Sequence, residues 1–117
     1  MIGIDSSAII DFLKGNTQVG PYLLKGCVAE ISYFEVMRGA ANTAVVEDFY
    51  SRLPNHALNK TVMRRACEIY SHCEKTGNRV PLFDALIAAS FLQNGISTIL
   101  TNDKHFKQIK GLKVVGY

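Results

Sequence analysis

Pro81-Leu82-Phe83-Asp84-Ala85-Leu86-Ile87-Ala88-Ala89-Ser90-Phe91-Leu92 is the most apolar run of the chain, and its reading decides the fold. Apolar side chains occupy nearly every position, so the run is expected to be a helix buried on nearly every side. One carboxylate, Asp84, sits in its first turn. An anion there gains up to about 1 kcal/mol from the aligned peptide dipoles. The alternative is a metal ligand held at the edge of a buried core. Asp5, Glu35 and Asp103 stand in comparable settings, and the rest of the chain reads as a scaffold that brings them to Asp84.

Downstream of this run, Asn94-Gly95 makes a turn and Ser97 to Leu100 is a strand. Thr101-Asn102-Asp103 ends it, and Asn102 or Asp103 can cap a short helix through Gln108. Leu112 to Val115 is a last strand. Upstream, Asn59 caps a long helix reaching about Thr76, with Val62, Ala66, Ile69, Tyr70 and Cys73 on its apolar face. Asn42 to Arg52 is another helix, and Pro54 to Leu58 holds a break and a short strand. At the start, Ile2-Gly3-Ile4 is a strand ending at Asp5. Ser6 and Ser7 are positioned to cap the helix that follows, which Gly15-Asn16 stops. Thr17 to Lys25 reads as a second short helix, and Cys27 to Ala29 as a strand. Ser32 and Glu35 have the spacing of a capping box, a purely structural reading of Glu35. Glu30 is expected to face solvent, and Asp11 to be solvated or salt-bridged. Strands and helices alternate throughout, which predicts a single α/β domain over residues 1–117 with a short, mostly parallel sheet covered by helices.

Composition narrows the function classes. The chain has 117 residues, 48% of them hydrophobic, enough for an ordinary globular core. No apolar run approaches the roughly 18 residues of a membrane span, and the start of the chain lacks the basic region of a secretory signal. Cys27, Cys67 and Cys73 are odd in number and lack metal-ligand spacing, which fits reduced thiols in a cytoplasmic protein. There are 13 Lys and Arg against 10 Asp and Glu. Setting the four singled-out acids aside leaves a basic remainder that suits a polyanionic partner.

In a parallel α/β sheet, strand C-termini and the N-termini of following helices share one edge. Asp5 and Asp103 each follow a strand, and Glu35 and Asp84 are each expected to open a helix. All four acids should therefore face one crevice. Clustered carboxylates repel unless some stay protonated or a cation joins them. Oxygen-only ligands suit Mg²⁺ or Mn²⁺, ions that support phosphodiester cleavage.

Four segments also resemble a known family in order and content. They are Asp5-Ser6-Ser7-Ala8-Ile9-Ile10, Ile31-Ser32 with Glu35-Val36-Met37-Arg38-Gly39, Asp84-Ala85-Leu86-Ile87-Ala88-Ala89, and Leu100-Thr101-Asn102-Asp103-Lys104-His105-Phe106. Together they look like PIN-domain ribonucleases, most of all the small VapC-type toxins of prokaryotic toxin–antitoxin pairs. The resemblance implies a three-layer α/β/α PIN-like domain and Mg²⁺- or Mn²⁺-dependent cleavage of RNA. It implies that Asp5, Glu35, Asp84 and Asp103 are metal ligands, with Ser6, Thr101 and Asn102 in supporting positions. Asp103 is favoured over Asn102 as the fourth ligand, because a carboxylate binds a divalent ion better than an amide. The resemblance further implies a homodimer and a cognate antitoxin. Tyr33, Phe34, Phe49 and Tyr50 are aromatic candidates for the dimer face. Arg38, Lys104 and Lys107 are candidates for contacts to RNA phosphates. His105 is expected to be a plain helix-surface histidine.

Two other function classes compete. A non-catalytic PIN-like module would bind RNA or protein without cutting, but it has no use for four clustered carboxylates. A haloacid-dehalogenase-like phosphatase would want an acid where Ser7 stands, and a receiver domain an acid at a mid-chain strand end that Pro54 to Leu58 lacks.

Overall fold

A computed structural model describes residues 1–117. Strand β1 (Ile2–Ile4) leads into α1 (Ser6–Leu13), and a 3-10 helix (Gly20–Lys25) precedes β2 (Gly26–Ala29). Helices α2 (Glu30–Arg38) and α3 (Thr43–Ser51) lead to a two-residue strand β3 (Asn55–His56). Then come α4 (Lys60–Lys75), α5 (Leu82–Gln93), β4 (Thr98–Leu100), a 3-10 helix (Lys104–Gln108) and β5 (Lys113–Val115). The five strands form one sheet in the order β3-β2-β1-β4-β5, and every pairing is parallel. The expected α/β class and its helical layers are therefore present.

Side-chain alternation along the strands sorts the core into two layers. Cys27, Ala29 and Ile99 face one side, where α4, α5 and Phe106 cover them. Ile4, Val28 and Leu100 face the other, under α1, α2 and α3. Helix α5 lacks a polar stripe because it has two apolar neighbours. Its Ile87, Ala88 and Phe91 pack towards the sheet, while Ala89 joins Val62 and Ala66 of α4. Seven of its residues are buried, Asp84 among them, although Leu82 at its start is exposed.

Several local expectations are corrected. The N-cap of α1 is Asp5 itself, whose Oδ1 accepts the Ser6 N–H at 2.8 Å. The second helix is shorter than expected and 3-10 in form. No capping box forms at Ser32 and Glu35, because β2 runs straight into α2 with Ala29 as the cap. The Ser32 hydroxyl bonds instead to the Ala29 carbonyl and the Tyr50 hydroxyl, and Glu35 lies mid-helix rather than at an opening. Glu30 is exposed as expected, and its carboxylate accepts the Leu58 N–H at 2.8 Å. Asp11 accepts a 2.5 Å hydrogen bond from the Tyr117 hydroxyl, neither free nor salt-bridged. Of the aromatic candidates for an interface, Phe49 and Tyr50 belong to the core, Tyr33 is half-buried, and only Phe34 is largely exposed.

Helix α5 owes its close seat on the sheet to Gly3. A Cβ at that position would lie 2.5 Å from ring carbons of the fully buried Phe91. Gly3→Ala is therefore expected to destabilise the fold by about 1–3 kcal/mol through overpacking. The measurement is the urea midpoint at unchanged m-value. An unchanged midpoint would show that α5 can back away freely.

Candidate metal centre

The chain reverses direction across the sheet between β1 and β4, the position where α/β folds leave a crevice at the strand ends. Register carries Asp5 and Thr101 there as neighbours, one residue past the Ile4–Leu100 pair. The Thr101 hydroxyl donates to Asp5 Oδ2 at 2.7 Å and accepts the Asp103 N–H at 2.9 Å. One hydroxyl thus ties the ends of both strands together. Ser7 donates to the same Asp5 oxygen at 2.6 Å. Asp103 caps the following 3-10 helix through the His105 N–H at 2.9 Å. Asn102 turns away, exchanging two 3.0 Å hydrogen bonds with the backbone of Tyr117.

Asp84 enters from the first turn of α5 and Glu35 from α2, so both arrive on helices packed against the sheet. The charges of Asp103, Asp5 and Glu35 each act on Asp84, and the ligand atoms that lie within 4.8 Å of one another are those of Asp84, Asp103 and His105. Asp5 is 2% exposed and Asp84 9%. Burial pushes the Asp5 carboxyl up, against the lowering effect of its hydrogen bonds from Ser7, Thr101 and Ser6. Burial also raises Glu35, against the lowering effect of a hydrogen bond from Ser6, with a smaller upward contribution from the charge of Asp5. Asp84 is pushed to about 8, first by burial, then by the charge of Asp103 and by sharing a proton with it. Asp103 is also desolvated, yet it is held below the usual carboxylate range by bonds from His105 and from the proton on Asp84.

Three buried side-chain atoms lack any hydrogen-bond partner, and two of them belong to this cluster: Glu35 Oε1 and Asp84 Oδ2. Buried polar atoms are nearly always paired, so two carboxylate oxygens without a recorded partner are candidates for contact with a cation. The donor set fits a divalent ion. His105 joins the cluster unexpectedly. Its Nδ1 lies 2.8 Å from Asp103 Oδ1 and 3.9 Å from Asp84 Oδ2, and ligand atoms of Asp84, Asp103 and His105 all fall within 4.8 Å of one another. Its place two residues after Asp103 signalled this in the sequence.

The cysteines stand apart from the crevice: Cys27 and Cys73 are core residues, and Cys67 lies on the exposed side of α4. No helix is long and apolar enough to cross a membrane.

The cluster makes metal-free stability depend on pH. Asp84, Asp5 and Glu35 all bind their protons more tightly in the fold than an unfolded carboxyl does. For Asp84 this advantage is complete below its ordinary value of 3.8 and is lost as pH rises to about 8. Asp103 acts oppositely, losing its contribution only as pH falls below the ordinary carboxylate range. In EDTA, the melting temperature is expected to fall between about pH 5 and pH 8. Asp84→Asn should flatten much of that fall and melt above wild type at the upper end. A flat wild-type profile would contradict the cluster's electrostatics.

The sequence matches the PIN domain family over residues 2–112. No curated protein sequence matches it significantly. Among solved structures, the fold is similar to that of a chain in the DNA-bound VapBC of Salmonella typhimurium, with TM-score 0.85, 22% identity, and 99% of this chain and 98% of that one covered. VapBC2 of Rickettsia felis, bound to a promoter DNA fragment, gives TM-score 0.82 at 20% identity over 100% and 99% of the chains. VapBC-1 of nontypeable Haemophilus influenzae gives 0.80 at 20% identity over 99% and 98%. Fold, crevice and family match coincide over nearly the whole length, and the chain belongs to the PIN-domain family.

Proposed function

We propose that the protein is a divalent-metal-dependent ribonuclease of the VapC type, the toxin of a toxin–antitoxin pair. The observation that carries this reading is the pair of buried carboxylate oxygens, Glu35 Oε1 and Asp84 Oδ2, without partners inside a like-charged cluster. Such a cluster destabilises the bare protein, and a bound cation removes that penalty. In this reading Asp5, Glu35, Asp84 and Asp103 hold Mg²⁺ or Mn²⁺. When bound, the ion supplies charge neutralisation at the scissile phosphate and increases the acidity of an attacking water.

The chain's own residues do the positioning. Thr101, Ser6 and Ser7 fix the Asp5 carboxylate by hydrogen bonds, so its orientation precedes ligand binding. Asn102 anchors the turn that carries Asp103 to the chain beyond β5. Arg38, Lys104 and Lys107 are exposed and are assigned to RNA phosphates, with Arg38 close enough to Glu35 to lower its carboxyl. The likeness to VapBC assemblies supports an antitoxin partner. Of the aromatic candidates for a face shared with a second copy, the exposed Phe34 remains available. A reduced, cytoplasmic setting suits the three free thiols.

The test is cleavage of total RNA by wild type and Asp84→Asn, with Mg²⁺, Mn²⁺ or EDTA. Wild type should give discrete, EDTA-sensitive fragments, and Asp84→Asn should cleave slower by roughly 10²-fold or more. Full metal-dependent cleavage by the variant would overturn the assigned site. Wild type that neither cleaves nor gains melting temperature with Mn²⁺ would point to a binding module.

A further inference from the structure

The donor set at the crevice is not purely carboxylate. His105 brings a ring nitrogen, and its Nδ1 is directed at both acidic neighbours, 2.8 Å from Asp103 Oδ1 and 3.9 Å from Asp84 Oδ2. Asp84 Oδ2 is buried and unpartnered, and 3.9 Å is too long for His105 to satisfy it by a hydrogen bond. An octahedral ion with ligands at about 2.1 Å needs neighbouring ligand atoms about 3 Å apart and opposite ones about 4.2 Å apart. The 2.8 Å separation is near the adjacent value and the 3.9 Å separation near the opposite one. The His105 backbone is held on two sides, while its side chain is 43% exposed. Its own backbone N–H is tied to Asp103, and the next residue, Phe106, is fully buried in the core.

We propose that His105 is a direct nitrogen ligand of the ion, so that the centre is a mixed nitrogen–oxygen site selecting Mn²⁺ over Mg²⁺. This rests on the reading of the crevice as a metal site. Mg²⁺ is hard and keeps to oxygen and water, whereas imidazole favours the first-row transition ions. The competing arrangement has His105 outside the ligand shell, donating Nδ1–H to Asp103 and only orienting it.

The experiment uses Mn²⁺ as both ligand and probe. Pulsed electron paramagnetic resonance of the Mn²⁺-loaded protein reads directly whether a nitrogen nucleus is bonded to the ion. Calorimetric titrations give Mn²⁺ and Mg²⁺ affinities. His105→Gln keeps a side-chain donor for Asp103 while removing the ring, and its melting temperature in EDTA reports folding. Wild type should show coupling to one directly bonded nitrogen, and His105→Gln should lose it. The ratio of Mn²⁺ to Mg²⁺ affinity should fall roughly 10-fold or more in the variant. Mn²⁺ bound without nitrogen coupling, or coupling that persists in His105→Gln, would overturn the proposal and leave the carboxylate site intact. Failure of wild type to bind Mn²⁺ at all would overturn both this proposal and the metal-dependent function.

Discussion

The hydrogen bond from the Thr101 hydroxyl to Asp5 Oδ2, 2.7 Å long and spanning 96 residues of sequence, joins the two strands at which the strand order reverses. Asp5 is the N-cap of α1, and Thr101 also receives the Asp103 N–H. Three structural elements therefore meet on two side chains. Hydrogen bonds to a carboxylate favour its charged form, while burial opposes it. At Asp5 burial wins, so the fold holds a desolvated acid in a fixed orientation.

Helix α5 shows how packing and chemistry are coupled. Phe91 presses on Gly3 of β1, and this close approach sets the height of α5 above the sheet. About two turns earlier on the same helix, Asp84 is carried into the crevice beside Asp103. A helix buried against the sheet and α4 has little freedom to relieve repulsion by moving, because close-packed interiors resist small displacements. Burial first, and the charge of Asp103 second, hold the Asp84 carboxyl well above the usual carboxylate range. A divalent ion bound there would compete with the carboxyl proton, which would link ion affinity to pH as well as to the packing of the core.

Much of the fold was legible because local and global signals agree. Asp5 and Asp103 directly follow apolar strands, and the continuous apolar run around Asp84 allows only a helix enclosed by other layers. Glu35 was harder to place. Its spacing from Ser32 imitates a capping box, but β2 passes into α2 without a loop, so the helix starts at Glu30 and the Ser32 hydroxyl turns to Ala29 and Tyr50. His105 was read as a surface residue, because the path of a one-turn helix after Asp103 depends on the cap that Asp103 itself forms. The Asp11–Tyr117 bond joins residues 106 positions apart and left no local trace. Aromatic residues of α2 and α3 also misled: Phe49 and Tyr50 fill the core between these helices and the sheet rather than an outer face.

The central claim is that the two unpartnered oxygens, Glu35 Oε1 and Asp84 Oδ2, belong to a divalent-cation site. Anomalous scattering from crystals equilibrated with Mn²⁺ tests it most directly. The account predicts a single strong anomalous region in the crevice, within about 2.3 Å of Asp84 Oδ2 and facing Glu35 Oε1 directly or through one water. No anomalous signal there at saturating Mn²⁺, with both oxygens satisfied by other side chains, would contradict it.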